Sequence, residues 1–299
     1  IILDVNKLSK RSEFFQISNW SIAPSEDLLA YAQDTSGRRE YEIRFKSIKS
    51  GSELQESIKG TSGDMAWSKD GDFFFYVLRH PETLLPYQVF KHKLGSHQNE
   101  DILVYQEDDP TFSISVGNSR SRKYIEIFIT STTSSEIRIL SSNEPHEKPR
   151  VLLPREEDHL YSIEDDSNRF IILTNWKAKN FRVMQSSIED IDKKSKWTEL
   201  IKHDKNTLIQ SILTFSSKIV LKQRVNGLSE IIIYNKNAHK PKKLTFNDPS
   251  YSLYLGANPE YKSTKLYIGY SSLRVPDSIY SVNLASGRKM LLKQAEVKG

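Results

Sequence analysis

The sequence of 299 residues contains no cysteine, and it has no apolar run long enough to cross a membrane. Without cysteine the chain cannot hold a disulfide framework, which fits a reducing compartment and predicts a cytoplasmic location. The lack of an apolar run and of a secretory leader predicts that the protein does not associate with a membrane. The first residue is isoleucine in a strand-like opening, so we do not expect residue 1 to be a natural start.

The composition is that of an ordinary folded protein, since 37% of the residues are hydrophobic and 27% are charged. Length alone would allow two domains, but the repeat described below predicts one all-β domain. The formal net charge is +5, and basic residues cluster at 120–123, 193–196 and 240–243. These clusters fall in predicted turns and are not interleaved with aromatic residues, so solvated turns are favoured over a nucleic-acid partner.

Residues 64–106 form the meander around which the rest of the chain is organised. Gly71 lies in a tight turn of this segment, where it can adopt positive φ without a Cβ clash. The strand after the turn is rich in aromatic and β-branched residues, which favour strands. A single meander leaves one face and two edges exposed, so the pattern requires neighbours of the same kind. The predicted strands are 65–68, 73–78, 87–93 and 102–106.

The same order of turns and strands recurs about every 45 to 50 residues, which is the period of a β-propeller with four strands per blade. We therefore predict an all-β fold, a seven-bladed type of β-propeller with four-stranded antiparallel blades. The chain would hold six complete blades, and residues 1–5 would be the last strand of a truncated blade. The six predicted blades are 19–58, 64–106, 112–153, 159–201, 208–246 and 252–293.

The sequence offers few patterns that carry a chemical mechanism. Residues 60–63 are the nearest match to a Gly-x-Ser-x-Gly nucleophile elbow, but they are one residue short and lack the following helix. The seven histidines are scattered without metal-ligand spacing. We predict no catalytic residue, no cofactor and no metal within the chain. The large aromatic residues of the repeats are predicted to fill the space between blades. These are Trp20, Trp67, Tyr87 and Phe112.

Strand direction alternates within a blade, so the loops between second and third strands should share one face with the blade connections. In one of these loops Asn226 precedes Gly227, which predicts a type I′ hairpin. The last strand, 289–293, should leave the sheet on the same face, and any following domain should sit over that face. The six loops are 34–40, 79–86, 131–135, 175–180, 225–228 and 271–277.

Three segments of the sequence resemble the prolyl oligopeptidase family of serine peptidases. They are Arg-Arg-Glu-Tyr-Glu-Ile-Arg-Phe at 38–45, the segment 79–90, and Tyr-Ser-Ser-Leu-Arg-Val-Pro-Asp-Ser-Ile-Tyr at 270–280. The His-Pro-Glu-Thr-Leu-Leu-Pro-Tyr-Gln-Val run in the second segment is similar to the oligopeptidase B group of that family. Residues 292–299 resemble the segment where such a propeller joins the hydrolase domain. The resemblance spans the whole chain.

This resemblance implies a propeller paired with an α/β-hydrolase domain of the same polypeptide, which carries a Ser-Asp-His triad and cleaves short peptides after Arg or Lys. That domain is absent from the 299 residues, so the resemblance implies an inactive fragment that acts as a gate and size filter. Its partners would be the hydrolase domain and, in the parent enzyme, short basic peptides. The residues expected at the domain interface or gate are Arg38, Arg39, Glu40, His80, Leu84, Thr132, Thr133, Ser134, Ser271, Ser272 and Arg274.

Two other functions fit a propeller. A free-standing scaffold of the WD type would bind a protein partner and would close its ring with the N-terminal strand. A glycosidase-like propeller would need carboxylates that converge on one cavity, which the sequence alone does not reveal. A Gly-x-Ser-x-Gly motif encoded beyond Gly299 would favour the peptidase.

Overall fold

The structure is a computed structural model that describes residues 2–297. The regular secondary structure is almost entirely antiparallel β-sheet, as predicted, and the chain divides into two compact units, the first ending at Glu156 and the second beginning at Glu157. None of the helices in the described residues has the length and apolarity needed to span a lipid bilayer. The helical segments are α1 (Val5–Leu8) and the 3-10 turns Ser9–Arg11, Gln98–Glu100 and Lys194–Lys196.

The first unit contains a sheet of seven strands that pair in chain order. On the third strand burial alternates with the period of two that a sheet produces, since Tyr41, Ile43 and Phe45 are buried and their neighbours are partly exposed. The strands are β1 (Gln16–Ile22), β2 (Leu28–Asp34), β3 (Tyr41–Ser47), β4 (Glu53–Trp67), β5 (Phe73–Arg79), β6 (Pro86–Lys93) and β7 (Ile102–Gln106).

The first two predicted blades are joined in this sheet, because β4 runs through the connection that the sequence predicted between them. Its first part pairs with β3 and its second part with β5. The register shifts between Thr61 and Met65, and Gly60 and Gly63 adopt φ of 72° and 91°. A Cβ on Gly63 would lie 2.4 Å from Ser18 Oγ. The bulge therefore requires glycine, and it lets one strand serve two blades.

The single strand predicted at residues 1–5 is not observed. Residue 1 lies outside the described residues, the next three residues are irregular, and Val5–Leu8 forms α1. The Asp4 side chain caps this helix, since its Oδ1 accepts a hydrogen bond from the Lys7 N–H at 3.1 Å. The cap satisfies the backbone locally, whereas a strand would have needed a neighbouring edge to pair with.

The second sheet of the first unit has four strands and corresponds to one predicted blade. It packs against the seven-stranded sheet through an apolar cluster that includes Phe75 and Val77 on one side and Ile125 and Ile127 on the other. The strands, which pair in the order β11-β10-β9-β8, are β8 (Ser113–Asn118), β9 (Tyr124–Thr130), β10 (Ser135–Ser141) and β11 (Arg150–Leu153).

The second unit contains three four-stranded sheets, and each pairs its strands in chain order. The predicted type I′ hairpin is confirmed, because Asn226 and Gly227 have φ of 48° and 83° between two paired strands. The strands are β12 (Tyr161–Asp166), β13 (Arg169–Thr174), β14 (Arg182–Ser187), β15 (Thr198–Ile201), β16 (Thr207–Thr214), β17 (Lys218–Val225), β18 (Leu228–Asn235), β19 (Lys242–Lys243), β20 (Tyr251–Leu255), β21 (Lys265–Ser272), β22 (Ser278–Asn283) and β23 (Lys289–Gln294).

The predicted packing of aromatic residues is observed for Trp67 but not for Trp20. Trp67 is buried, and its ring centroid lies 6.0 Å from that of Phe45 and 4.7 Å from that of Phe74, both in edge-to-face geometry. Trp20 departs from the prediction, because 57% of it is exposed. It stands opposite Tyr31 on β2, and Tyr31 does not belong to the cluster around Trp67. Its strand therefore presents it to the surface.

Two apolar clusters join neighbouring sheets of the second unit. One joins the sheet of β12 to β15 with the sheet of β16 to β19, through residues such as Leu173 and Leu221. The other joins the sheet of β16 to β19 with the last sheet, through residues such as Ile231 and Ile268. Each sheet in the second unit thus buries a face against its neighbour, which a lone meander could not do.

His92 on β6 is buried between two carboxylates. Its Nδ1 lies 2.7 Å from Asp101 Oδ1, and its Nε2 lies 3.4 Å from Glu56 Oε2. The Tyr76 hydroxyl donates to Asp101 Oδ2 at 2.9 Å, and the Gly95 N–H donates to Glu56 Oε2 at 2.7 Å. Burial alone would lower the pKa of His92, but the hydrogen bonds and charges of Asp101 and Glu56 outweigh it and raise this pKa. The cluster ties the turn after β6 to β4.

We expect the substitution His92→Gln to destabilise the fold most at mildly acidic pH. A histidine whose pKa rises on folding contributes stability below its unfolded pKa of about 6.5 and loses that contribution as pH rises through its folded pKa. Removing one partner of a buried ion pair costs about 3–5 kcal/mol. The difference in melting temperature between wild type and variant should therefore be largest near pH 6 and shrink toward about pH 9.

The exposed His97 provides the control. His97→Gln should leave the melting temperature nearly unchanged at every pH. A gap between wild type and His92→Gln that stayed constant over the whole range would contradict a protonated His92.

Candidate functional site

The loops of the first unit that the sequence selected as a gate leave the sheet by one edge. Thr61 on β4 pairs with Tyr41 at the start of β3 and with Leu78 near the end of β5. The loop 35–40 immediately precedes β3, and the loop 80–85 follows β5. Thr61 therefore fixes both loops at the same edge, and its Oγ1 donates to the Tyr41 carbonyl at 2.9 Å.

The third gate loop of the first unit lies at the same edge. Gln88, just after the loop 80–85, pairs with Gln106 at the end of β7. The chain then crosses to Ser113, which pairs with Thr130 at the end of β9. The loop after Thr130 therefore leaves from this edge too. We refer to the loops 35–40, 80–85 and 131–134 together as the loop edge of the first unit.

Asp34 orders the first of these loops. Its Oδ1 accepts hydrogen bonds from the Ser36 N–H at 2.8 Å and the Gly37 N–H at 2.9 Å, and its Oδ2 accepts from the Arg39 N–H at 2.8 Å. Burial would raise the pKa of Asp34, but these hydrogen bonds and that of the Ser36 hydroxyl lower it overall. The carboxylate thus stays ionised and holds the turn.

The side chains carried by this turn face solvent. Arg38, Arg39 and Glu40 are all exposed, and Arg39 has a φ of 59° that the Asp34 hydrogen bond supports. Among residues 2–297 none of the three side chains has an ion-pair partner. The turn therefore presents two free guanidinium groups on an ordered backbone.

The loop 80–85 is held by its own polar groups. His80 Nδ1 accepts from the Glu82 N–H at 3.2 Å and the Thr83 N–H at 3.3 Å. The Arg79 guanidinium donates to the carbonyl of Leu84 at 2.6 Å, and Leu84 has a φ of 60°. His80 therefore stabilises a turn, and Leu84 sits half-buried at its tip.

In the loop 131–134 one of the three predicted gate residues is not exposed. Thr132 and Thr133 are exposed, whereas Ser134 is buried. The Ser134 N–H donates to Ser131 Oγ at 3.1 Å, and the Ser131 N–H donates to the Ser134 carbonyl at 2.9 Å. Ser134 closes the hairpin and is not available to a partner.

The second unit places its predicted gate residues around the loop 273–277, between β21 and β22. Ser272 Oγ accepts from the Arg274 N–H at 3.2 Å and from the Val275 N–H at 3.1 Å. Ser271 is half-buried beside it, and Arg274 is exposed. Ser272 therefore shapes the turn, while Arg274 extends from it.

Asp248 fixes this loop from outside it. Its Oδ1 accepts from Arg274 Nε at 2.9 Å, and its Oδ2 accepts from the Tyr270 hydroxyl at 2.5 Å. These hydrogen bonds, that of Tyr270 first and that of Arg274 next, lower the pKa of Asp248 to about 2. Burial and the hydrogen bond to Asp248 raise the pKa of Tyr270 to about 12. The sequence did not indicate Asp248, because it lies outside the motif.

An ion cluster at the loop edge of the first unit was also missed from the sequence. Arg155 Nη2 donates to Glu107 Oε2 at 2.6 Å, and Arg155 Nε lies 3.3 Å from Glu136 Oε2. Arg138 Nε donates to the other oxygen of Glu136 at 2.7 Å, and the Tyr105 hydroxyl donates to Glu107 at 2.7 Å. Both carboxylates are buried, and the positive charges balance them.

Arg155 also packs its guanidinium over the Phe112 ring, 4.1 Å from the centroid. Burial would raise the pKa of Glu107, but the hydrogen bonds from Arg155 and Tyr105 lower it overall. The cluster therefore holds the chain segment between β7 and β8 against β10. No local pattern reveals it, since Arg155 and Glu107 are far apart in sequence.

The segment 60–63 lies within β4 and is followed by β5, so it lacks the strand-to-helix turn of a nucleophile elbow. Ser62 Oγ donates to Asp64 Oδ2 at 2.5 Å. Burial raises the pKa of Asp64 more than this hydrogen bond lowers it. In the part of the chain that the structure describes, no group of three or more His, Asp or Glu side chains could hold a metal ion.

These observations define a domain of repeated antiparallel β-meanders that presents ordered loops at its sheet edges. A family model described as the prolyl oligopeptidase N-terminal beta-propeller domain matches residues 1–295. The chain therefore belongs to this family of propeller domains, and the predicted propeller fold is confirmed.

Two curated proteins show how far the similarity extends. The chain is 33% identical over 300 residues to dipeptidyl aminopeptidase BI of Pseudoxanthomonas mexicana, and it covers 41% of that protein. It is 27% identical over 301 residues to protease 2 of Moraxella lacunata, and it covers 43% of that protein. Both alignments include 100% of the present chain. The chain thus spans less than half the length of these relatives.

Two solved structures resemble the whole chain. Oligopeptidase B from Leishmania major superposes with a TM-score of 0.93 at 26% identity, covering 100% of this chain and 43% of that one. Oligopeptidase B from Trypanosoma brucei, in a closed form with covalently bound antipain, superposes with a TM-score of 0.91 at 28% identity and covers 99% of this chain and 42% of that one.

We expect Arg155→Met to destabilise the first unit by about 3–5 kcal/mol, because it leaves two buried carboxylates without their shared cation. Methionine keeps much of the apolar contact with Phe112, so the loss should reflect the charge. Chemical denaturation measures it. Lys148→Met, on an exposed lysine of the same unit, is the control and should change stability by less than about 0.5 kcal/mol.

A second substitution separates the charge from the packing. Adding Glu107→Gln to Arg155→Met should recover part of the lost stability, because Glu107 is the buried carboxylate left without a cation, whereas Glu136 keeps Arg138. Additive losses in the double variant would argue against the ion cluster as the cause.

Proposed function

We propose that this chain is the non-catalytic, substrate-gating propeller of a serine-type oligopeptidase whose α/β-hydrolase domain lies in the same polypeptide. The observation that carries the proposal is the superposition on oligopeptidase B along the full chain, of which this chain covers 43%. The remaining length of such a protein leaves room for a catalytic domain. The 299 residues alone are inactive in this proposal.

The proposed substrates of the parent enzyme are short peptides cleaved after Arg or Lys. The similarity to proteins named oligopeptidase B and protease 2 supports this choice. The relative named dipeptidyl aminopeptidase BI suggests another cleavage pattern, removal of dipeptides from the amino end. We place the parent enzyme in the cytoplasm, which the absence of cysteine in these residues supports.

The proposed role is steric and conformational. A propeller over a catalytic cleft admits short or flexible chains and refuses large folded proteins, and closure of the two domains excludes water from the reaction. Loops that close on a partner lose less entropy when they are already ordered. Asp34 and Asp248 provide that order for their loops, so Arg38, Arg39 and Arg274 can act as interface or gate residues.

The free-standing scaffold of the WD type remains an alternative class, but the family match and the length of the relatives do not favour it. It predicts binding of a protein partner without peptidase activity in the parent chain.

Hydrolysis assays on the parent enzyme and on the 299-residue chain test the proposal. The parent should cleave a short chromogenic peptide after Arg or Lys, and the fragment should not. Activity restricted to free-amino dipeptidyl substrates would replace the proposed specificity with that of an aminopeptidase. A parent chain without peptidase activity would refute the proposal.

Charge reversal tests the gate. In the parent enzyme Arg38→Glu with Arg39→Glu should change both kcat and KM, by about threefold to tenfold in kcat/KM, because these free cations would no longer match their partner on closure. High salt should reduce the difference, since exposed charges are screened.

The matched control reverses Lys49 and Lys69, which are exposed near turns away from the loop edge. This pair changes net charge equally and should leave the kinetics unaltered. If the arginine pair behaved like the lysine pair, Arg38 and Arg39 would not belong to the gate.

A further inference from the structure

Leu273 is the most exposed large apolar side chain in the described residues, and its accessible surface is 101% of that of a reference, fully exposed leucine. It lies between Ser272 and Arg274, two residues that the sequence analysis predicted at the domain interface. A leucine held fully in water leaves its whole apolar surface unburied, and burial of such a side chain is normally favourable. Its position therefore requires an explanation.

The backbone around Leu273 is ordered rather than frayed. The Ser272 N–H donates to the Val275 carbonyl at 2.9 Å, and Ser272 Oγ accepts from the N–H groups of Arg274 and Val275. The Arg274 guanidinium is bound to Asp248. The loop thus holds Leu273 at its tip in one conformation.

The base of the loop rests on the core of the second unit. Val275 packs against the apolar cluster of the last two sheets, and the Tyr270 ring stacks on Phe246 at 4.2 Å between centroids. Tyr270 also donates to Asp248, which in turn holds Arg274. A preordered loop with one exposed apolar residue is typical of an anchor that fills a pocket on a partner.

The path of the chain indicates which partner. The Ala295 N–H, directly after β23, donates to the carbonyl of Asp277 in this loop at 2.8 Å. Gln294 Nε2 donates to Ser278 Oγ at 3.1 Å. The segment that follows β23 therefore leaves the last sheet beside the loop 273–277, and in the proposed two-domain protein the hydrolase domain would begin near this loop.

We propose that Leu273 inserts into an apolar pocket of the hydrolase domain and is the apolar anchor of the contact between the two domains. This inference rests on the proposed function, because it takes the hydrolase domain as the occupant of that position. Arg274 forms the polar rim of the contact, since its side chain is 76% exposed while Asp248 holds it.

Thiol labelling of the parent enzyme tests the inference independently of catalysis. The 299 residues contain no cysteine, so Leu273→Cys introduces a single thiol in this part of the chain. Leu103→Cys is the matched control, because Leu103 is an exposed leucine on β7 with 47% of its surface accessible. The rate of alkylation by iodoacetamide at each site is measured by mass spectrometry on the folded parent enzyme.

From exposure in the present structure alone, a thiol at position 273 should react at least as fast as one at position 103. If the hydrolase domain covers Leu273, alkylation at position 273 should be at least tenfold slower, whatever the enzyme concentration. Equal or faster reaction at position 273 would overturn the inference. Protection that disappeared on dilution would also overturn it, since a second copy would then be the partner.

Conservative and disruptive variants complete the test. Leu273→Met should keep the kinetics of the parent enzyme, and Leu273→Asp should change kcat and KM together, because a charge cannot enter an apolar pocket without cost. Equal kinetics for the two variants would count against the anchor. The labelling rates remain informative even if the parent enzyme shows no peptidase activity, so the proposed function and this inference can fail separately.

Discussion

The first unit depends on one strand that serves two blades. β4 pairs with β3 along its first part and with β5 along its second part, and the bulge at Gly60 and Gly63 lets it bend between them. Antiparallel pairing through Thr61 then fixes where the neighbouring loops begin. A shift of one residue would turn the buried face of each strand toward solvent, so the position of the loop edge is determined by core packing.

The ordered loops follow from a second constraint, the need to satisfy backbone N–H groups that turns leave unpaired. Asp34 does this for the loop that carries Arg38 and Arg39, and Asp248 holds the Leu273 loop through Arg274. Hydrogen bonds lower the pKa of each carboxylate, so both stay ionised to more acidic pH than an ordinary aspartate. The buried or partly buried carboxylates therefore order these loops, and the exposed side chains of the loops remain available to a partner.

The structural features that the sequence predicted are those that depend on residues close together in the chain. The all-β class and the hairpin at Asn226 and Gly227 follow from local patterns, and the structure confirms them. The helix at Val5–Leu8 was missed, because five apolar-rich residues resemble a strand and the cap by Asp4 is a weak local signal. Trp20 was misplaced because the repeat does not reveal which face of a strand is buried.

Contacts between distant residues could not be predicted. Arg155 meets Glu107, and Asp248 meets Arg274, across separations that no periodic pattern links. The site prediction chose residues by their place in the loops, and it included the buried Ser134 and left out the exposed Leu273. The motif indicated the loop 273–277, but only the structure separates the side chains that shape this loop from Leu273, which it exposes.

The proposed gating role depends on this difference between residues that order a loop and residues that the loop exposes. Arg38 and Arg39 have no ion-pair partner among residues 2–297, because Asp34 is engaged with backbone N–H groups instead of their guanidinium groups. Leu273 likewise makes none of the contacts that keep its loop rigid. Free charge and free apolar surface on ordered loops lower the entropic cost of association and leave the interaction energy for the partner. In the proposed two-domain enzyme, such loops would meet the hydrolase domain on closure without having to refold.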